Sequence, residues 1–229
     1  MTATSDAELS RAVGDYLKAI WQLTGDGPAT TGDIAKALGV TAPSVTGMLT
    51  RLNGQGLVSY RPYRGAELTT QGRLEATRLL RRHRLLETFM IRELGFGWDE
   101  VHDEAERLEH VVSDEFTERL ATHLGEPDFD PHGDPIPRRD GTLPHGPDTP
   151  LSEAPHGERF VVHRVLSQDG EVLAYLRGLG VEPGRRLTVV GGEPGGNLLR
   201  LRVETRGHET EVGLSRALAA AVLGIVVAA

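Results

Sequence analysis

The segment Gly39-Val-Thr-Ala-Pro43 constrains the fold more than any other part of the chain. Gly39 and Val40 make a tight turn. Thr41 is an N-cap, and Pro43 falls in the first turn of a helix, where its missing N–H needs no partner. A helix over residues 33–38, opened by Thr30 and Thr31, precedes the turn, and a second helix continues from Thr41 to near Gly54. A short helix, a glycine turn and a second helix opened by small polar residues form the helix-turn-helix pattern. An ordinary helical hairpin shares that pattern, and Ile34, Ala35, Leu38, Val45, Leu49 and Leu52 are core residues in either case.

The sequel separates the two. Residues 57–60 and 66–69 read as short strands joined by Arg61-Pro-Tyr-Arg-Gly65. A β-hairpin with arginines at its tip, placed directly after a helix-turn-helix, is the wing of a winged-helix domain. In this arrangement the start of the second helix enters the major groove of DNA. Base edges then face Thr41, Ala42, Pro43, Ser44, Thr46 and Gly47, and phosphates face Arg51, Arg61 and Arg64. None of the base-facing side chains is a bidentate reader, so DNA shape and phosphate contacts carry much of the specificity.

Charge supports a split of roles. The whole chain carries a formal −8, which by itself disfavours nucleic acid. Residues 30–84, however, hold nine basic and three acidic side chains, a net of about +6 that leaves about −14 for the remainder. There are no cysteines, which excludes disulfides, cysteine-ligated zinc and thiol nucleophiles. No signal peptide or membrane-length apolar run is present, so the expectation is a cytoplasmic protein without a membrane partner.

The second chemical signal is His and Glu at helical spacing. Residues 101–110, read as part of a helix running from Trp98 to about Leu124, place His102, Glu106 and His110 at i, i+4 and i+8, with Glu109 beside the last. His83 and Glu87 repeat the four-residue spacing on a long helix that Thr69-Thr-Gln-Gly72 caps and that is expected to run to about Leu94. Asp15 flanks the apolar stripe Ala12, Tyr16, Ala19, Ile20 and Leu23 of a first helix over residues 6–23. Imidazoles and carboxylates without sulfur suit Mn²⁺, Fe²⁺ or Zn²⁺. A solvated helix face is the competing interpretation for each set taken singly. Residues 126–157 are proline-rich and polar, so His132, His145 and His156 within them are expected to be solvated. Beyond residue 158, short strands with glycine turns suggest a compact barrel.

Taken together, Gly14-Asp-Tyr-Leu17, Val40-Thr-Ala-Pro-Ser-Val-Thr46, the wing, Arg82-His-Arg-Leu-Leu-Glu87, Val101-His-Asp-Glu104, Leu108-Glu-His110 with Ser113-Asp114, and Asp130-Pro-His-Gly-Asp-Pro-Ile-Pro137 resemble the diphtheria toxin repressor family of metal-dependent transcriptional regulators. Within that family they are most similar to the manganese transport regulators. The resemblance implies an α+β chain: a winged helix-turn-helix over residues 1–73, a helical metal-binding and dimerisation domain over 74–140, a proline-rich linker over 141–157, and an SH3-like small β-barrel of the iron-transport accessory type over 158–229. It implies two metal sites per chain, an activating one drawn from Asp15, Glu106, Glu109 and His110 and an ancillary one from His83, Glu87 and His102, with Asp169 and Glu171 of the barrel near the latter. The iron-sensing branch carries methionine at the place of Asp15 and cysteine at that of Glu106. This chain departs from that branch at both positions, and three carboxylates with one imidazole make an oxygen-rich site suited to Mn²⁺.

The expectation is therefore a non-enzymatic, Mn²⁺-activated homodimer, with no organic cofactor, that binds a palindromic double-stranded operator and represses metal-uptake genes. Fe²⁺ sensing is the nearest alternative. A metal-dependent hydrolase and an accessory protein of a metal transporter represent other classes. The hydrolase lacks a visible nucleophile pairing or oxyanion donor.

Overall fold

The computed structural model describes residues 10–24, 27–192, 196–205 and 208–227. The expected start of the first helix, residues 6–9, lies outside them. The chain divides into two compact units: residues 1–83 with 109–112 and 137–142, and residues 84–108 with 113–136 and 143–229.

In the first unit, α1 (Arg11–Leu23), α2 (Thr31–Leu38) and α3 (Ala42–Gly54) are followed by β1 (Val58–Arg61) and β2 (Gly65–Leu68). The caps form where the side-chain chemistry places them. Thr30 accepts from the Asp33 amide, Gly39 takes the left-handed conformation at φ 64°, and Thr41 accepts from the Ser44 amide. Val13, Tyr16, Leu17 and Ile20 of α1 share one core with Ile34, Val45, Leu49, Leu52, Val58 and Ala66. β1 and β2 pair antiparallel, Val58 opposite Leu68, and the Ala29 backbone joins Ala66 through two 2.9 Å hydrogen bonds. This is the winged helix-turn-helix. α4 (Thr70–Leu94) follows, capped by Thr69, which accepts from the Gly72 amide at 3.1 Å. Gly72 has no substitute here, because a β-carbon on it would lie 1.9 Å from the Leu57 carbonyl oxygen.

The single helix expected from Trp98 to Leu124 is in fact two, α5 (Val101–Leu108) and α6 (Asp114–His123), separated by a turn over residues 109–113. Ser113 starts the second helix by accepting from the Phe116 amide, and Asp114 and Glu115 in its first turn favour the positive end of the helix dipole. Glu109 and His110 thus leave the helix and belong to the first unit, whereas Glu106 stays on α5 in the second.

The rest of the second unit is a six-stranded antiparallel sheet. Its strands are β3 (Thr149–Pro150), β4 (Arg159–Val165), β5 (Arg186–Gly192), β6 (Leu198–Thr205), β7 (His208–Ser215) and β8 (Val222–Val227), in the order β3-β8-β4-β5-β6-β7. α7 (Gly170–Gly178) and α8 (Arg216–Ala220) complete it. Phe160, Leu173, Leu176, Leu187, Leu201 and Val222 form its core together with Trp98.

The linker expected over residues 141–157 is shorter than its proline content suggested. Thr149 and Pro150 pair with β8, a 3-10 turn follows at Leu151–Glu153, and Leu151 is fully buried in the sheet core. Buried apolar contacts outweigh composition at this point. Leu151→Ala is expected to destabilise the protein by about 2–5 kcal/mol in denaturant unfolding, whereas a linker position would leave the midpoint unchanged.

Candidate metal centres and nucleic-acid interface

Asp15, Glu109 and His110 converge in the first unit. His110 Nε2 lies 2.8 Å from Asp15 Oδ1 and 3.5 Å from Glu109 Oε1. α1 admits the ring because Gly14 has no side chain: a β-carbon there would stand 3.3 Å from His110 Cε1 and 3.0 Å from Leu79 Cδ2. Glu109 is completely buried. Among the described residues, the buried His110 Nε2 has no hydrogen-bond partner of acceptable geometry despite its short approach to Asp15. One imidazole nitrogen and carboxylate oxygens from two residues thus lie within reach of one another, a donor set that fits a divalent metal.

His83 joins the same buried region. Its Nδ1 lies 2.5 Å from Glu109 Oε2, and Lys18 Nζ lies 3.0 Å from each Glu109 oxygen and 3.4 Å from His83 Nδ1. Lys18 was absent from the residues singled out by sequence. It stands one turn after Asp15 on α1, and only the fold shows that its side chain turns inward.

In the second unit, His102 Nδ1 lies 3.2 Å from Glu87 Oε1, and His102 Nε2 lies 3.7 Å from Glu106 Oε1. The other Glu87 oxygen faces His132 Nδ1 at 3.6 Å. Glu87, Asp130 and His132 are all buried and form a further group able to hold an ion. The expectation that His132 is solvated is therefore wrong. His132 has no exposed surface, stacks on Trp98 with ring centroids 5.5 Å apart, and directs Nε2–H to the Trp98 carbonyl at 2.7 Å. With Nε2 engaged by that carbonyl, Nδ1 is the ring nitrogen that faces Glu87. His145 and His156 are exposed, His156 with its Nε2 2.7 Å from the Val190 carbonyl oxygen.

A compact turn holds His132 in place. Asp130 Oδ1 accepts from the amides of His132 (2.8 Å) and Asp134 (2.9 Å), and Gly133 sits at φ 83°. The turn is pinned to the sheet: Val165 N donates to the His132 carbonyl at 2.9 Å, Gln168 Nε2 to Asp134 Oδ2 at 2.9 Å, and Arg164 pairs with Asp134. A β-carbon on Gly133 would lie 1.9 Å from the His163 carbonyl oxygen. Asp130-Pro-His-Gly-Asp134 carries the signal for it, since Asp and Gly at that spacing favour such a turn. Asp169 and Glu171 are exposed, and Asp169 caps α7 by accepting from the Glu171 and Val172 amides. Neither joins a group of potential ligands among the described residues.

The proposed DNA face is solvated throughout. Thr41, Ala42, Pro43, Ser44, Thr46, Gly47 and Arg51 of α3 and its cap are exposed, as are Arg61 and Arg64 of the wing. The wing arginines line an open cavity of about 310 Å³ with Pro28, Ser59, Gly65 and Glu67. Tyr63, at the wing tip with φ 63°, is fully exposed and was not singled out by sequence. No helix among the described residues is long and apolar enough to cross a membrane.

Burial works against charge on His132, but the Glu87 and Asp130 carboxylates and the Trp98 carbonyl outweigh it and hold the ring up at about 9. Burial, with help from Glu87 and Asp134, pushes Asp130 up to about 7 against the pull of Arg84 and His132. Both folded-state values lie above the unfolded ones, so the folded protein holds the extra protons. The His132 contribution is complete below about pH 6.5 and is lost as pH rises through about 9. Metal-free protein is expected to lose on the order of 3 kcal/mol between pH 6 and pH 9.5, measured by denaturant unfolding, and His132→Gln flattens that slope.

Comparison with known proteins divides the chain into three segments. Residues 8–66 match the family model described as the iron dependent repressor N-terminal DNA binding domain, and residues 69–138 that of the iron dependent repressor metal binding and dimerisation domain. Residues 149–225 match the FeoA domain. The chain is 35% identical over 210 residues to the iron-dependent repressor IdeR of Mycobacterium leprae, covering 85% of this chain and 88% of the relative. It is 33% identical over 189 residues to the diphtheria toxin repressor of Corynebacterium efficiens, covering 76% and 81%. Among solved structures, a manganese-dependent transcriptional repressor in complex with manganese superimposes with a TM-score of 0.84 at 37% identity, over 94% of this chain and 100% of that one. The manganese regulator SloR gives a TM-score of 0.74 at 31% identity, over 93% and 98%.

Proposed function

The chain belongs to the iron-dependent repressor family, a family of metal-dependent transcriptional repressors and not of enzymes, and on that premise we propose that it is a cytoplasmic, Mn²⁺-activated repressor that binds a palindromic operator as a homodimer. The observation that carries the choice of metal is the donor set. Asp15, Glu109 and His110 offer oxygen and nitrogen only, and a chain without cysteine has no thiolate to offer. Hard and borderline donors of this kind suit Mn²⁺. When bound, the ion supplies a positive charge that draws the two carboxylates and the imidazole together.

The residues of the chain do the rest. Asp15 lies on α1, whose opposite face shares the core with α2 and α3, while Glu109 and His110 lie on the turn after α5. Fixing Asp15 to that turn fixes the recognition helix to it as well. A ligand preferring this arrangement shifts the population toward it by its differential affinity. A second ion would be held by Glu87 with Asp130 and His132, and His102 contacts the same carboxylate from the other side. His132 Nδ1 must give up its proton there, so affinity at this group rises with pH. The dimer is supported by the match to a dimerisation domain and by the apolar Phe116 of α6, which remains 46% exposed.

Fe²⁺ activation is the second interpretation, favoured by the curated relatives, which are named as iron-dependent. Anaerobic titration of operator binding with each ion separates the two. Mn²⁺ is expected to activate at lower concentration, and Asp15→Met with Glu106→Cys to reverse the order. Equal operator affinity with and without either ion sinks the proposal. Fluorescence anisotropy against a salt series tests the interface: Arg61→Ala and Arg64→Ala each lower affinity for all sequences alike and reduce the salt slope by about 1.

A further inference from the structure

The candidate centre is defined by its proposed ligands, but the residue that engages both oxygens of its central carboxylate is a lysine. Lys18 Nζ lies 3.0 Å from Glu109 Oε1 and 3.0 Å from Oε2, and the pair is buried, with Lys18 6% exposed and Glu109 0%. His83 Nδ1 adds a 2.5 Å contact to Oε2. Resting on the metal-site function proposed above, we propose that Lys18 is a built-in counter-cation that competes with the divalent ion for Glu109 and thereby sets the concentration at which the protein switches.

Without metal, the Lys18 ammonium and the Glu109 carboxylate neutralise each other where water cannot. A buried carboxylate stripped of its cation is strongly unfavourable, so Lys18 stabilises the metal-free protein. Mn²⁺ held by Asp15, Glu109 and His110 is already matched by two carboxylates, which leaves the lysine charge in excess beside a dication. Like charges a few ångströms apart repel strongly at low effective dielectric. Metal entry therefore requires Glu109 to loosen its hold on Lys18. The lysine stem is four carbons long and flexible, and it can carry its charge outward while the stem stays against apolar neighbours. The two cations occupy one carboxylate in turn.

A purely structural ion pair makes a different forecast. If Lys18 only braced α1 against the turn, its removal would loosen the ligand set and weaken metal binding. If it competes, removal strengthens binding even though the metal-free protein becomes less stable. The proposal predicts opposite signs for the two readouts, which is what makes it testable.

The test uses the full chain as wild type, Lys18→Met and Lys18→Gln, with His110→Ala as a ligand control. Methionine keeps the stem and removes the charge. Glutamine keeps a donor for Glu109 and is the variant to read if methionine does not fold. Mn²⁺ affinity is measured by calorimetry and by the electron paramagnetic resonance signal of free Mn²⁺, and thermal midpoints are recorded with and without metal. The expected result is a lower metal-free midpoint, Mn²⁺ bound at least tenfold more tightly than by wild type, and a larger metal-induced rise in midpoint. Unchanged or weaker Mn²⁺ binding by both neutral variants, with wild-type binding intact, overturns the proposal and leaves Lys18 a structural brace. Wild type binding Mn²⁺ no better than His110→Ala overturns the metal-site assignment itself, a failure distinguishable from the first.

Discussion

The Glu109 carboxylate is the point on which the first unit turns. It has no exposed surface, yet three ionisable side chains from two other helices reach it or its neighbour: Lys18 and Asp15 from α1, and His83 from α4. A charge in that position is tolerated only while something of opposite sign accompanies it. The helix break after Leu108 puts it there. Had α5 continued into α6, Glu109 and His110 would have stayed on a helix face, and the carboxylate would not have entered the core beside α1. Ser113 thus has an influence beyond its own cap, since the helix it starts defines the end of the turn that carries two of the proposed ligands.

The second unit solves a similar problem differently. Glu87 is buried between two imidazoles, one on α5 and one on the Asp130–Asp134 turn, and Asp130 adds a carboxylate. Here protonation, on His132 and Asp130, balances the negative charge together with the Arg84 guanidinium, whose Nε lies 3.7 Å from Asp130 Oδ2. The two candidate centres therefore respond to different variables. Under the proposed function, the first would weigh a divalent ion against a lysine whose charge is part of the sequence, and the second against protons whose number follows pH. The turn that carries His132 is hydrogen-bonded to β4, so the sheet forms part of the wall of the second group.

How much of this was legible in sequence varies with the range of the interaction concerned. Thr30, Gly39, Thr41 and Pro43 announce α2 and α3 because caps and turns are local chemistry, and the wing follows from two short β-rich runs around Arg61–Gly65. His83, Glu87, His102, Glu109 and His110 were recognisable from helical spacing. What spacing does not encode is which partner each finds across the chain. Lys18 reads as a solvated lysine on an amphipathic helix until α1 is placed against the 109–112 turn. His132 reads as a histidine in a proline-rich loop until Trp98 is stacked on it. Leu151 is a lone apolar residue in polar surroundings whose burial depends on pairing with β8, more than 70 residues away. Ser113-Asp114-Glu115 carries the local chemistry of a helix start in the middle of the helix expected from Trp98 to Leu124.

The strand order of the C-terminal sheet leaves two edges, β3 and β7. β3 is two residues long and ends in Pro150, which has no amide hydrogen to offer a further strand. β7 is eight residues long, and its first four, His208-Glu-Thr-Glu211, are all exposed, with Glu209 and Glu211 both drawn toward Arg202 of the neighbouring strand. One edge is too short and the other too charged to be extended by another chain. Strand addition to this module is therefore disfavoured at both described edges, whereas Phe116 on α6 presents an exposed apolar side chain on a helical surface.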